Sequence, residues 1–158
     1  MTQRTQYPLI GLLQDVQRQM ADELHDRLGK LGYSEIRPAH GCVFGNMQPH
    51  GVRLTDIADR SRITKQSVGE IVTNLEELGY VERIPDPEDK RAKLVRLTPL
   101  GQEVQAAARK AFAEIEAEWG ERIGKKKVAD LRAALEELTL LPPLALDPAA
   151  QPKLDRAA

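Results

Sequence analysis

Hydrophobic residues near the start of the chain recur every three or four positions, which is the period of an amphipathic α-helix. This first stripe runs from Leu9 to Leu31. Gly29 and Gly32 lie at its end, and a glycine there can adopt the left-handed backbone that closes a helix. A second helix is predicted from Pro38, because proline is tolerated as a first helical residue. It carries Val43, Phe44 and Met47 and ends at the turn sequence Gln48-Pro49-His50-Gly51.

The next two apolar stripes are separated by the short turn Ser61-Arg62-Ile63. Thr55 is placed to cap the first helix, which turns Ile57 and Ala58 inward. Thr64 is placed to cap the second, and Gly79 to end it. The inward face of this second helix reads Val68, Ile71, Val72, Leu75 and Leu78. Two helices joined by so short a turn predict a helix-turn-helix.

The hydrophobic period then changes from that of a helix to that of a strand. Residues 80–84 and 93–98 are rich in β-branched and aromatic residues, with apolar and polar positions alternating in the second run. Between them lies the charged, proline-containing sequence PDPEDKRA, which does not suit the interior of a strand. We therefore predict a β-hairpin with an extended loop, the wing of a winged helix-turn-helix.

Two more helices complete the predicted fold. Thr98 and Pro99 supply a cap and a first-turn proline for a long helix to about Gly120, and a last helix carries apolar residues from Val128 to Leu141. The fold class is mainly α with a small β-hairpin wing: a winged helix-turn-helix flanked by N- and C-terminal dimerisation helices. The predicted organisation is an N-terminal dimerisation helix (1–34), a winged helix-turn-helix core (35–98), C-terminal dimerisation helices (99–141) and a disordered tail (142–158).

The composition is that of an ordinary globular protein of one domain's length. The chain has 158 residues, 41% of them hydrophobic and 30% charged. No apolar run is long enough to cross a membrane, and Asp15 interrupts the N-terminal apolar stretch, which is too short for a signal peptide. The single cysteine, Cys42, cannot form an internal disulfide, and this favours a reducing, cytoplasmic location.

Catalytic motifs are absent from the sequence. It contains no glycine-rich phosphate loop, no GxSxG elbow and no HExxH zinc motif. The alternating carboxylates at 114, 116 and 118 fit a solvated helix face, and the scattered histidines do not predict a metal site. Cys42 fits a small core residue. We therefore expect neither an enzyme nor a cofactor.

The order of the charges is more informative than their sum. The net charge is −1, and residues 53–98 hold nine basic and nine acidic residues. However, the stretches 60–69 and 90–102 contain bases and no acids. These stretches are the start of the second helix of the helix-turn-helix and the outer arm of the hairpin, the parts of a winged helix that approach a phosphate backbone.

The polar face of the second helix carries the candidate base-reading residues. The N-terminal residues of a recognition helix reach base edges in the major groove, so Gln66 is a candidate partner of adenine and Lys65 of guanine or phosphate. Hydroxyls at the helix start are candidate phosphate donors. A glycine inside the helix, Gly69, fits close approach to DNA or to a neighbouring helix. The candidate DNA-binding residues on the turn and this helix are Arg62, Thr64, Lys65, Gln66, Ser67, Gly69 and Thr73. A plain surface helix would show the same polar face.

The hairpin loop adds a second candidate contact. A guanidinium at a loop tip can enter a narrow minor groove, where the negative potential is focused, and Arg91 is placed for this. Asp89 is placed to hold Arg91 by a charge-assisted hydrogen bond, and Lys90 lies between them at the tip. An exposed ion pair without function is the alternative interpretation.

Together, these motifs resemble the MarR family of bacterial transcription regulators. The resemblance rests on residues 53–101, where LT-x-x-A, L-x-x-L-G-x-V-x-R, D-x-x-D-x-R and LT-x-x-G follow one another. It implies an intertwined homodimer with a winged helix at each lower corner. It also implies that Arg91 is the minor-groove arginine of the wing, that Asp89 orients it, and that Thr64 to Thr73 belong to the recognition helix. At Lys90, where relatives often carry arginine, lysine keeps the charge but loses the planar fork.

The expected function is that of a sequence-specific transcriptional regulator, a repressor, acting as a homodimer on a pseudo-palindromic operator of double-stranded DNA. Apolar stripes that a winged helix of about 60 residues cannot cover favour the dimer independently of the resemblance. The family often binds small aromatic effectors, and the residues on the segments that would line such a pocket are His25, Tyr33, His40 and Phe44. Ordinary core packing is the alternative for each of these four. The resemblance assigns Cys42 no redox role. A dimeric winged-helix module that binds protein is the alternative function.

Overall fold

The computed structural model describes residues 8–89 and 91–141. The chain begins with α1 (Leu9–Lys30), and a 3₁₀ turn (Pro38–His40) then leads directly into the short α2 (Gly41–Phe44). The remaining elements are β1 (Val52–Arg53), α3 (Leu54–Ser61), α4 (Lys65–Glu77), β2 (Val81–Pro85), β3 (Lys93–Leu97), α5 (Pro99–Ile123) and α6 (Lys125–Leu140).

The predicted fold class is confirmed: a mainly helical chain with a small antiparallel sheet. The strands lie in the order β1-β3-β2, so the hairpin strand β3 is central. Val52 pairs with Val95 on one side of β3, and Val81 pairs with Leu97 on the other. The hairpin β2–β3 is the predicted wing, and β1 anchors it to the start of α3.

The core of the winged helix collects the inward faces that the hydrophobic period predicts. Ile57 of α3 and Val68, Val72 and Leu75 of α4 are fully or almost fully buried, as is Val95 of the sheet. Burial of such a side chain is worth about 1.5–3 kcal/mol, so this shared core fixes α4 against α3 and the sheet. The outer face of α4 thereby stays in solvent.

Two boundary predictions differ from the structure. The helix predicted to extend through Met47 already ends at Phe44. The proposed cap at Thr55 is wrong: α3 begins at Leu54, and Thr55 lies in its first turn, where its hydroxyl approaches the Asp56 carboxylate at 3.4 Å. The chain passes from β1 into α3 without an intervening residue. The N-cap position is therefore Arg53, which has extended backbone and makes no side-chain capping hydrogen bond.

The start of α5 is as predicted and is tied to the end of α4. The hydroxyl of Thr98 accepts a hydrogen bond from the N–H of Gly101 at 3.1 Å and donates one to the carbonyl of Gly79 at 2.6 Å. Gly101 packs directly onto the carbonyl of Tyr80, where a Cβ atom would collide with the backbone. Glycine is therefore required at the last position of the LT-x-x-G motif.

The chain divides within α5 into two compact units, the first ending at Glu116 and the second beginning at Ala117. All the core residues named above belong to the first unit. The described part of the second unit comprises the end of α5 and the whole of α6. None of the α6 residues is buried. The apolar stripe predicted for this helix is present as Leu131, Leu135 and Leu138, all exposed. The tail predicted for 142–158 lies outside the described residues.

Candidate nucleic-acid interface

The turn between α3 and α4 directs the start of α4 into solvent. Arg62 ends α3 in the left-handed conformation (φ 54°), and Ile63 donates its N–H to the carbonyl of Ala58 at 3.2 Å. Thr64 is the N-cap of α4, as predicted, and accepts the N–H of Ser67 at 3.1 Å. The two hydroxyls of Thr64 and Ser67 also lie 2.8 Å apart. Their donors therefore sit together beside the positive end of the α4 dipole.

The first turns of α4 present an open polar face. Lys65, Gln66 and Ser67 are exposed, and the amide of Gln66 donates to the carboxylate of Glu70 at 3.3 Å. A Cβ atom on Gly69 would meet only the side chain of Leu54, at an ordinary contact distance of 3.9 Å. Packing within the protein therefore does not require glycine at this position.

Thr73, one of the predicted DNA contacts, links α4 to the wing. Its hydroxyl donates to the carbonyl of Gly69 at 2.9 Å and accepts from Arg83 Nη2 at 3.0 Å. Arg83 of β2 also pairs through Nη1 with the carboxylate of Glu76, and its backbone N–H donates to Glu76 at 3.3 Å. These contacts hold α4 at a fixed distance from β2.

At the tip of the wing, Asp89 orients Arg91 through the main chain. The Asp89 carboxylate accepts the backbone N–H of Arg91 at 3.0 Å, and the Asp89 carbonyl accepts the N–H of Ala92 at 2.9 Å. The side-chain hydrogen bond predicted between Asp89 and the guanidinium is replaced by this turn, so the Arg91 guanidinium is left exposed. Lys90 lies outside the described residues.

A buried carboxylate at the base of the wing was not predicted from the sequence. Asp86 is 5% exposed, and its Oδ2 accepts from Nε and Nη2 of Arg53 at 2.7 and 2.6 Å. Its Oδ1 accepts the N–H of Glu88 at 2.9 Å. These two partners, the Glu88 N–H foremost, hold the pKa of Asp86 below its ordinary value against the effect of burial. The flanking prolines at 85 and 87 signal a rigid turn but not its partner, because Arg53 lies far away in sequence.

The two predicted cationic contacts meet on one surface. A groove of about 400 Å³ lies between the start of α4 and the wing. Lys65 of α4 and Arg91 of the wing both line it, so the structure brings together the two acid-free stretches of the sequence. Arginine and lysine side chains from all three strands complete its basic lining: Arg53, Arg83 and Lys93. No acidic side chain is among the described residues that line this groove.

A second, more apolar cavity of about 470 Å³ lies among α1, α2 and α5. His25 and Phe44 line it, together with Arg37, Arg109 and Phe112. The Nδ1 of His25 donates to the carbonyl of Ala21 at 2.5 Å, which leaves its Nε2 as the other polar atom of the ring. Two of the four candidate effector residues therefore reach this cavity.

The other two candidates do not line the cavity. Tyr33 is half-buried and packs against the core. His40 is 3% exposed, with both ring nitrogens engaged by Arg37 and Asn74. The predicted core packing of Cys42 is partial: its thiol donates to the carbonyl of Ala39 at 3.1 Å, and burial raises its pKa, so a reactive thiolate is disfavoured.

Other kinds of site find no support in the described part of the chain. Residues 8–89 and 91–141 contain no group of three or more histidine, cysteine, aspartate or glutamate side chains arranged to hold a metal ion. None of the described helices combines the length and apolarity needed to cross a membrane.

Comparison with known proteins identifies relatives of this winged helix. The family model described as MarR family matches residues 35–92. The exopolysaccharide II synthesis transcriptional activator ExpG of Rhizobium meliloti is 25% identical over 107 residues, which cover 68% of this chain and 55% of ExpG. An HTH-type transcriptional regulator of Bacillus subtilis, YdcH, is 39% identical over 64 residues, which cover 39% of this chain and 44% of YdcH. The chain thus spans about half the length of these curated relatives.

Solved structures share the fold over a longer stretch. The reduced form of MarR from E. coli matches 86% of this chain and 98% of its own, with a TM-score of 0.72 and 23% identity. At this identity the likeness concerns the fold alone. The segment matched by the family model contains the helix-turn-helix and the first half of the wing, so this central part of the chain is similar to the MarR family.

Proposed function

We propose that this chain is a sequence-specific DNA-binding transcriptional regulator. The observation that carries the proposal is the basic groove, where Lys65 at the start of α4 and Arg91 at the wing face one concave surface. A chain with a net charge of −1 has no general affinity for a polyanion, so charge gathered at one groove favours a specific surface for duplex DNA.

The proposed docking inserts the start of α4 into the major groove and the wing into the adjacent minor groove. Gln66 and Lys65 are the proposed base-reading side chains, and Gly69 allows α4 to approach the bases closely. Arg62, Thr64 and Ser67 are proposed to contact phosphates around the helix start. In the wing, Arg91 is the proposed minor-groove residue, Lys90 a phosphate contact and Asp89 the support of the turn.

The names of the relatives, which describe transcriptional regulators, support this proposal. ExpG is a transcriptional activator and YdcH is named as a transcriptional regulator. A mutant of S. aureus MepR was crystallised bound to an oligodeoxyribonucleotide, and it shares the fold with a TM-score of 0.56 at 23% identity. These names favour a regulator over an enzyme, and we propose that the chain acts in the cytoplasm, where its DNA would be accessible.

The proposed active form is a homodimer on a pseudo-palindromic operator. Both terminal helices carry exposed apolar side chains, which a second copy would cover: Leu9, Ile10, Leu12, Leu13 and Val16 on α1, and Leu131, Leu135 and Leu138 on α6. A two-fold axis would then present two recognition helices to half-sites about one helical turn apart. A dimer seated on such an operator excludes other proteins from it, so we propose repression as the output.

The apolar cavity is the proposed effector site. Its volume of about 470 Å³ falls within the range of small-molecule pockets. Phe44 and Phe112 offer aromatic contact, and His25 offers a polar one. A small aromatic effector would release the operator if it binds more tightly to a form of the dimer whose recognition helices no longer match the half-sites.

Selection of preferred duplexes from a random DNA library tests the proposed function. We expect the full chain to enrich an inverted repeat and to bind it at least about 1,000-fold more tightly than a scrambled duplex at about 0.15 M salt, with affinity falling steeply as salt rises. Failure to enrich any sequence would contradict the proposal and favour a protein-binding module.

Arg91→Ala should lower the affinity for the selected duplex by about tenfold or more, the value of one charge-assisted hydrogen bond. Lys110→Ala is the matched control, because it removes the same charge from an exposed position on α5 outside the groove. Fluorescence anisotropy measures both variants. Equal affinities for Arg91→Ala and Lys110→Ala would remove the wing from the interface.

A further inference from the structure

His40 is the only histidine that the described residues bury, and both of its ring nitrogens are engaged. It is 3% exposed and ends the 3₁₀ turn before α2. Its Nδ1 accepts the backbone N–H of Arg37 at 3.0 Å, so Nδ1 carries no proton. The proton of the neutral ring therefore lies on Nε2, which donates to Oδ1 of Asn74 at 3.0 Å.

These two hydrogen bonds join the wall of the apolar cavity to α4. Asn74 belongs to the recognition helix α4, one residue beyond Thr73. Arg37 and Pro38, on the other side of the ring, line the apolar cavity. One imidazole ring thus makes a direct polar connection between the wall of the cavity and α4.

The surroundings of His40 favour its neutral form. Burial is the main effect that lowers its pKa, and the charges of Arg37 beside it and His25 on α1 lower it further. The hydrogen bond to the uncharged Asn74 on α4 acts in the opposite direction and is outweighed. The ring is therefore neutral at pH 7, with Nδ1 free to accept the Arg37 N–H.

We propose that His40 is a positioning residue for DNA binding: its neutral ring holds α4 in its operator-binding position against the segment that walls the cavity. This inference rests on the proposed DNA-binding function and adds a route by which the cavity acts on the recognition helix. Displacement of Arg37 and Pro38 by a ligand, or protonation of the ring, breaks the same connection.

The sign of the pH effect follows from the hydrogen bonds. A proton on Nδ1 would face the N–H of Arg37, so two donors would meet and the bond would be lost. The pKa of His40 in the folded protein lies below the ordinary value of about 6.5. The connection is therefore intact at neutral pH and is lost only as the pH falls through this lowered folded-state pKa. Operator affinity is expected to fall over the same range.

Two amide substitutions separate the two hydrogen bonds. In His40→Gln the longer side chain places its amide nitrogen near the position of Nε2, where it can donate to Asn74. In His40→Asn the shorter side chain places its oxygen near the position of Nδ1, where it can accept the Arg37 N–H but does not reach Asn74. Asn74→Leu removes the same connection from the α4 side while keeping a side chain of similar size.

The experiment measures the affinity of each full-length variant for the duplex selected above, by fluorescence anisotropy between about pH 5.5 and 8. We expect His40→Gln, which lacks the Arg37 bond at every pH, to bind about as weakly at pH 7.5 as the wild type does in acid, and to lose the wild-type decrease in acid. His40→Asn and Asn74→Leu should each bind about tenfold or more weakly, and the double variant no more weakly than either. Circular dichroism confirms that each variant is folded.

Two results would overturn the proposal: wild-type affinity for folded His40→Asn and Asn74→Leu, or the same acid decrease in His40→Gln as in the wild type. If the wild type selects no duplex, the proposed function fails, and hydrogen exchange then tests the connection by itself. The α4 amides should exchange faster in His40→Gln, His40→Asn and Asn74→Leu than in the wild type. Equal exchange rates in all four proteins would overturn the inference.

Discussion

A single carboxylate fixes the base of the wing and removes one positive charge from the groove. Asp86 neutralises Arg53 through a two-donor contact with its guanidinium and also accepts the N–H of Glu88. The backbone N–H of Asp86 donates to the carbonyl of Ala92 at 3.1 Å, which closes the hairpin loop. The loop is thereby held at its base while Arg91 at its tip stays exposed.

Asp86→Asn is expected to lower the thermal stability in a pH-dependent way. The pKa of Asp86 lies below the ordinary value of about 3.9 in the folded protein, so the carboxylate stabilises the fold above about pH 4 and this contribution is lost as the pH falls through the folded-state pKa. The Tm difference between wild type and variant should be largest near pH 7 and narrow toward pH 3. Circular dichroism melts measure it.

Glu103→Gln provides the control for the Asp86 prediction. Glu103 is an exposed carboxylate on α5, so its substitution removes the same charge without a buried partner. A Tm difference for Asp86→Asn that stays constant from neutral to acid pH would contradict the role of the charge. So would a pH-dependent difference of the same size for Glu103→Gln.

At the scale of single residues, the caps at Thr64 and Thr98 were predicted correctly from local signals, the cap at Thr55 was not, and distant partners were not predicted. The cap at Thr64 joins a hydroxyl to a backbone N–H only three residues further along the chain, and it is present. The Asp86–Arg53 pair joins positions 33 residues apart, and the Arg83–Thr73 contact joins positions ten apart across two elements. Neither pair has a local pattern that would predict it, because the fold alone brings the partners together.

At the scale of elements, α4 combines a rigid attachment with an open face. The buried side chains Val68, Val72 and Leu75 fix its inner face, and Arg83 clamps its later turns to β2. Only the first turns remain without such clamps, and they carry Lys65 and the partly exposed Gly69. The element thus offers a preorganised surface, which limits the entropy that docking would cost.

Gly69→Ala is expected to separate stability from DNA affinity. Alanine in place of a helical glycine should stabilise the fold by about 1 kcal/mol, which raises the Tm by about 2–4 °C for a chain of this size. The added Cβ has room in the free protein, 3.9 Å from Leu54 Cδ1. In the proposed complex it lies on the face that approaches the duplex, so operator affinity should fall several-fold. Melting curves and anisotropy measure the two effects.

Gly29→Ala is the matched control for this prediction. Gly29 lies in the last turn of α1, and a Cβ atom there would meet nothing within 4 Å. A gain in Tm no larger than that of Gly69→Ala is expected, with unchanged affinity for the selected duplex. Tighter or equal DNA binding by Gly69→Ala would show that α4 does not approach the bases as proposed.

Element prediction from the sequence succeeded where a stripe was long and failed where an element was short. The helices α1 and α4 show three or more repeats of the hydrophobic period, α5 starts at the predicted cap and first-turn proline, and all three helices are present. β1 comprises only Val52 and Arg53, too few residues for an alternating pattern, and it exists because its neighbour β3 offers a free edge. The end of α2 at Phe44 reflects the glycine and asparagine that follow rather than the apolar spacing, which continues to Met47.

At the scale of the whole molecule, the unexplained features are the exposed apolar stripes. Leu9 and Ile10 of α1 are 65% and 62% exposed, and Leu138 of α6 is 57% exposed. Contiguous exposed apolar residues mark interaction sites in soluble proteins. Periodicity predicted both stripes correctly but does not tell what covers them, since an apolar face follows the same pattern against its own core and against a second chain.

Leu135→Glu is the direct test of the proposed homodimer. No residue of α6 is buried in the single chain, so the substitution should leave the secondary structure intact. Burial of one leucine is worth about 1.5–3 kcal/mol, and a two-fold interface contains it twice, so the dimer Kd should rise by about a hundredfold or more. Ala133→Glu places the same charge on the opposite face of α6 and should leave the dimer intact. Sedimentation velocity distinguishes the forms: a monomeric wild type, or a Leu135→Glu variant as dimeric as Ala133→Glu, would show that the stripe of α6 does not join two copies.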